Sequence, residues 1–147
     1  MNRKQKIAIK QFIRAIDGTI KVKFQKGGLE CDPVKGIVYI GDEVTEEEND
    51  LFEDFVKELE PKCTFNSYLM GLLHEIGHIF TYDEELDEDR DEQYAIMQIA
   101  YKFDLVDAAS LNKMYFKIPM ELEATKWGIE FAMNNKNFVE KFNEVIK

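Results

Sequence analysis

The sequence predicts an α+β fold: one helix, a small antiparallel sheet near the N-terminus, then helices to the end of the chain. Two observations carry this. Residues 19–41 hold three short apolar or alternating runs divided by turn residues, and from Thr45 onward the apolar positions recur every three or four residues. A third bounds the scale, because 147 residues at 45% hydrophobic make one domain with enough apolar side chain for a core. No repeat, linker or low-complexity stretch divides it, so residues 1–147 are read as a single domain.

Ile9, Phe12, Ile13 and Ile16 share a helical face, and Asp17-Gly18 stops that helix. TIKVKF (19–24) alternates apolar and polar residues as a half-buried strand does. GLEC and GIVYIG follow as two more strands, parted by the turn residues Asp32 to Gly36. Leu51, Phe52, Phe55, Val56 and Leu59 form the apolar side of a helix that Pro61 ends. From Asn66 to Phe80 comes a helix apolar around most of its circumference, hence buried, with Asn66 or Ser67 as its cap. The acidic run DEELDEDRDE (83–92) suits a helix start and leads into QYAIMQIAYKF (93–103). A helix from about Pro119 to Asn134, with proline in its first turn, and a short amphipathic tail close the chain.

Charge is unevenly spread. Residues 1–26 hold eight Lys and Arg against Asp17 alone, while the remaining 121 residues carry 11 basic and 28 acidic side chains. A body this acidic repels phosphate backbones, which argues against a nucleic-acid binder. No apolar run approaches the roughly 18 residues a membrane span needs. The basic N-terminus lacks the continuous apolar stretch of a secretory signal, so the expected location is the cytoplasm. Cys31 and Cys63 are isolated and read as free thiols.

Residues 72–80, LLHEIGHIF, contain both histidines of the chain. On a helix, His74 and His78 differ by about 40° in direction, so both imidazoles face one way and can share a metal ion. Glu75 lies about 100° round the helix, where it reaches a water on that ion rather than the ion itself. That is the pattern of metal-assisted hydrolysis: the metal acidifies its water, and Glu75 takes the proton as general base. Two histidines on a buried face for packing alone would each need a polar partner, with an acid set between them. Gly77 suits close approach of another helix. Zinc fits two imidazoles and a carboxylate, with nickel or cobalt as substitutes.

A catalytic zinc needs a third protein ligand. With no further histidine, a carboxylate must supply it. Asp83, Glu84 and Glu85 are near in sequence, but they read better as a solvated helix start. Glu121 and Glu123, at the beginning of the Pro119 helix beside Ala124 and one turn from Trp127 and Gly128, are the stronger candidates.

Together, H-E-x-G-H and a glutamate helix some forty residues later resemble the gluzincin class of zinc peptidases. The compact size resembles in particular the small ImmA/IrrE-type metallopeptidase domains, many of them carried by phages and mobile elements. The resemblance spans roughly residues 66–134. It implies a zincin-like domain in which His74, His78 and Glu121 bind Zn²⁺ and Glu75 is the general base. Glu121 is favoured over Glu123 because Glu121-Leu-Glu-Ala124-Thr125 fits the family frame, with Thr125 where an acid or asparagine is usual. In that position the hydroxyl would support a metal-bound imidazole more weakly than a carboxylate.

Such a domain would hydrolyse a peptide bond in a protein or peptide, of the regulatory kind the resemblance implies. Tyr115 and Tyr101 are the candidate donors to a developing oxyanion. GIVYIG is the candidate edge strand for an extended substrate. The basic N-terminal helix is a candidate for partner selection. An alternative reading keeps the fold as a catalytically weak interaction module, and a third makes the acidity itself a mimic of DNA.

Overall fold

A computed structural model describes residues 1–146, and its element order matches the expected one with one addition. Helix α1 (Arg3–Ile16) begins at Asn2, which accepts from the amide of Gln5 while Gln5 bonds back, a capping box. Strands β1 (Lys21–Phe24), β2 (Glu30–Asp32) and β3 (Ile37–Ile40) form one sheet. Helix α2 (Glu46–Leu59) opens with a second capping box, between Thr45 and Glu48. Asn66 caps α3 (Ser67–Phe80), and Asp83 caps α4 (Glu84–Lys102). Then come α5 (Ala108–Phe116), α6 (Pro119–Asn134) and α7 (Lys136–Ile146).

The sheet is mixed rather than wholly antiparallel. Its order is β1-β3-β2, with β1 parallel to β3 and β2 antiparallel to it. After β1 the chain leaves through Gly27, at φ 101°, so β2 does not fold back on β1. The turn at residues 33–36 then returns β3 between the two. GIVYIG is therefore the central strand, and β2 is an edge, lying along α3.

Helix α5 is the unexpected element. Asp107 caps it by accepting from Ser110, but none of its residues is fully buried, so its periodic signal is faint. The acidic run 83–92 starts α4 as expected, with Asp83 as its cap and Glu84 to Glu92 forming its first half. Elsewhere the core follows the predicted faces. Ile9 and Ile13 of α1, Val38 of β3, and Leu69, Leu72, Leu73 and Ile76 of α3 have no exposed surface. Phe12 stacks on Phe142 and Phe138 at centroid distances of 4.1 and 5.0 Å, which joins α1 to α7.

Helices α3 and α6 form the tightest seam. A Cβ on Gly77 would lie 2.5 Å from the carbonyl oxygen of Ala124, and one on Gly128 would lie 3.2 Å from the Cβ of Leu73. Glycine at both crossings lets the two helix backbones touch, and this sets the distance between the histidines on α3 and Glu121 on α6.

Candidate metal centre

The Nε2 atoms of His74 and His78 and the Oε2 of Glu121 converge on one point. Each imidazole nitrogen lies 2.9 Å from the carboxylate oxygen, and the two nitrogens are 3.1 Å apart. All three residues are buried, Glu121 to 1% exposure. Donor atoms about 2.0–2.1 Å from a shared zinc would stand roughly 3.3 Å apart in a tetrahedral arrangement, close to the separations present.

Hydrogen bonding shows why this cluster suits a cation. The Thr125 hydroxyl donates to the backbone carbonyl of Glu121 at 3.1 Å, one helical turn back, so its lone pair is what meets the Nδ1 of His74 at 2.8 Å. His74 must then donate from Nδ1, which leaves a bare lone pair on the inward Nε2. Tyr115 donates its hydroxyl to the other Glu121 oxygen, Oε1, at 2.8 Å, aiming Oε2 at the histidines. Lone pairs facing one another in a buried site repel unless a positive charge lies between them. The residues present therefore fit a metal ion, and His74, His78 and Glu121 can hold one. The Nδ1 of His78 is buried without a hydrogen-bond partner, so the support given to His74 has no counterpart there.

The electrostatics agree. Burial would push the Glu121 carboxyl up, but positive charge beside its oxygens, which His74 and His78 supply when protonated and a metal ion would supply when they are neutral, holds it below the usual carboxylate range. Burial lowers the His74 imidazole against the pull of Glu121, so the ring favours its neutral, metal-binding form. Glu75 behaves oppositely. Burial first, then the charges of Glu121 and Glu30, raise its carboxyl well above normal, with Arg90 alone opposing them.

Glu75 opens onto a cleft in two parts. The larger, about 470 Å³, lies between α2, α3 and α5, and the smaller, about 280 Å³, lies between β2, α4 and α6. Leu29, Glu75 and Tyr115 line both, so the glutamate sits where they meet. Phe52 packs edge-on against His74 at 5.8 Å.

Of the residues singled out from sequence, His74, Glu75, His78, Glu121, Thr125 and Tyr115 come together here. Glu123 points to solvent and lies 3.8 Å from Lys126. Tyr101 is 45% exposed on α4 and lines neither part of the cleft. Asp83, Glu84 and Glu85 are exposed at the head of α4. Sequence reasoning missed Arg90, whose guanidinium lies 3.7 Å from Oε1 of Glu121 and lines the smaller cavity. Its signal was legible: it is the lone base in an acidic run of ten residues. Cys31 lines the same cavity, with its thiol pushed up to about 12 by burial and then by Glu75, Asp32 and Glu121.

Comparison of the chain with protein-family models, curated proteins and solved structures gave no match.

Proposed function

We propose that this protein is a zinc-dependent peptidase of zincin-like fold, hydrolysing a peptide bond in a protein or peptide substrate. One observation carries the reading: three buried donor atoms on α3 and α6 converge, and the Glu75 carboxylate lines the open cleft beside them. A buried His-His-Glu cluster needs no neighbouring acid merely to be stable. A hydrolase does.

A zinc ion held by His74, His78 and Glu121 would supply Lewis acidity, polarising a carbonyl and acidifying a water. The remaining work falls to the chain. Glu75, whose carboxyl its surroundings make a stronger base than an exposed glutamate, accepts a proton from the attacking water and returns it to the leaving nitrogen as the C–N bond breaks. The products are a carboxylic acid and an amine. Tyr115 and Thr125 fix the orientation of Glu121 and His74. Arg90 is the one Lys or Arg among the described residues lining either part of the cleft, and it is the candidate donor to developing negative charge, since the Tyr115 hydroxyl already donates to Glu121.

Metal analysis combined with hydrolysis of a mixed peptide library tests this. Wild type should bind about one zinc per chain and cleave peptides. Glu75→Gln should keep the metal and lose about a hundredfold or more in rate. Glu121→Ala should lose both, and Glu123→Ala neither. A chain that takes up no zinc, or a Glu75→Gln variant that cleaves like wild type, overturns the proposal. Zinc uptake without cleavage of any peptide would favour the interaction-module reading instead.

A further inference from the structure

Helix α4 runs for 19 residues and buries only Met97. Its outer face carries Ile96, Ile99 and Phe103, exposed by 59, 57 and 69%. Their i, i+3, i+7 spacing places them in one stripe. A bend ends the helix just past this stripe. Asp104 adopts φ 57°, and the amide of Leu105 reaches back to the carbonyl of Ala100 at 2.9 Å, closing the helix end. A left-handed aspartate is a strained choice. Here it keeps Phe103 and Leu105, the latter 76% exposed, out in water. Large apolar side chains exposed together at one end of a helix mark a contact surface. Exposed acids dominate its frame: Glu88, Asp89 and Glu92 on the preceding turns, Asp104 and Asp107 after it, against Lys102 as the single exposed base.

The opposite chemistry stands on α1, which carries five Lys and Arg and no acid. Ile7, 47% exposed, joins Ala8 and Val145 as the floor of an open groove of about 500 Å³ between α1 and α7, with Arg3 and Lys4 at its rim. One face is apolar within an acidic frame, the other apolar within a basic one.

We propose that the outer face of α4 docks into the α1–α7 groove of a second copy of this chain. Apolar residues then meet apolar residues, and Glu88 and Glu92 meet Arg3 and Lys4. Pairing α4 with α4 would instead set acid against acid, and pairing α1 with α1 would set base against base. The net charge of −10 opposes association at long range. Screening over about 8 Å in physiological salt confines that repulsion and leaves the contact charges to decide.

Sedimentation velocity of the full chain over a range of concentrations tests this, with circular dichroism as the check that each variant folds. Wild type should self-associate as concentration rises to roughly 200 μM. Ile99→Glu and Ile7→Glu should each weaken association about tenfold or more. Lys4→Glu and Glu92→Lys should each weaken it, and the two changes in one chain should restore it, because the swapped charges again pair. A chain that stays monomeric throughout overturns the proposal. So does association that Ile7→Glu leaves untouched, or a double variant no better than either single one.

Discussion

Replacing Gly77 by alanine probes the seam on which the candidate metal centre depends. The added Cβ would stand 2.5 Å from the carbonyl oxygen of Ala124, with the carbonyl carbon at 3.1 Å and Cα at 3.2 Å. Carbon–oxygen contacts in helix interfaces settle near 3.3 Å, so the helices must part by roughly 0.8 Å at this point. No side-chain rotation relieves the clash, since the atoms it meets are backbone. Overpacking of this kind costs about 1–3 kcal/mol, here toward the upper end, while alanine returns about 1 kcal/mol of helix propensity. The net loss is about 2 kcal/mol, or roughly 4–8 °C in Tm for a domain of this size. Glu121 lies one turn before Ala124 on the same helix, so its Oε2 moves with the seam, and zinc affinity should fall about tenfold or more. Thermal unfolding with and without chelator, and zinc competition against a chromophoric chelator, measure the two effects. Gly71→Ala is the control, because its Cβ meets only the end of the Leu29 side chain, at 3.2 Å. A Gly77→Ala protein with wild-type Tm and zinc affinity would refute the argument that helix contact positions the ligands.

Three further outcomes follow from the same geometry. Thr125→Val removes the acceptor for Nδ1 of His74, so zinc affinity should drop about 10–100-fold, while Thr125→Ser should stay near wild type; equal loss in both variants would assign Thr125 a packing role only. In chelator-treated protein Cys31 should alkylate roughly a thousandfold more slowly than an ordinary thiol at pH 8, because its raised pKa leaves little thiolate, and the rate should climb tenfold per pH unit. Mass spectrometry of the labelled peptide reads this, and ordinary reactivity at pH 8 would contradict the burial argument. Zinc uptake should release protons, because burial and then the charge of Glu121 raise the Glu75 carboxyl well above its usual range, and a nearby cation reverses that shift. Calorimetry in buffers of different ionisation enthalpy would detect the release, and Glu75→Gln should diminish it.

Local chemistry made much of this molecule legible in advance. The cap at Asn66 and the proline at 119 mark helix starts through bonds or backbone constraints that span four residues, and the apolar face from Leu51 to Leu59 marks α2, so the sequence alone placed α2, α3 and α6. The i, i+4 spacing of His74 and His78 is likewise a local fact, and two histidines on an apolar helix already call for a third ligand. Glu121 and Glu123 were reachable because the small residues Ala124 and Gly128 suggest where their helix touches another, and the choice of Glu121 between them rested on the resemblance to the gluzincin frame. Strand pairing was not legible. Which strand lies in the middle depends on where the chain exits at Gly27 and returns at residues 33–36, so the mixed sheet and the edge position of β2 emerged only in three dimensions. Helix α5 escaped notice because half-buried residues give a weak periodic signal. The partnership of Tyr115 with Glu121, and the arrival of Arg90 and Cys31 in the same cavity, join elements far apart in the chain. Sequence determined which side chains could bind a metal and move a proton; the packing of α3 against α6 decided which atoms meet, because only that seam brings Oε2 of Glu121 within 2.9 Å of both imidazoles.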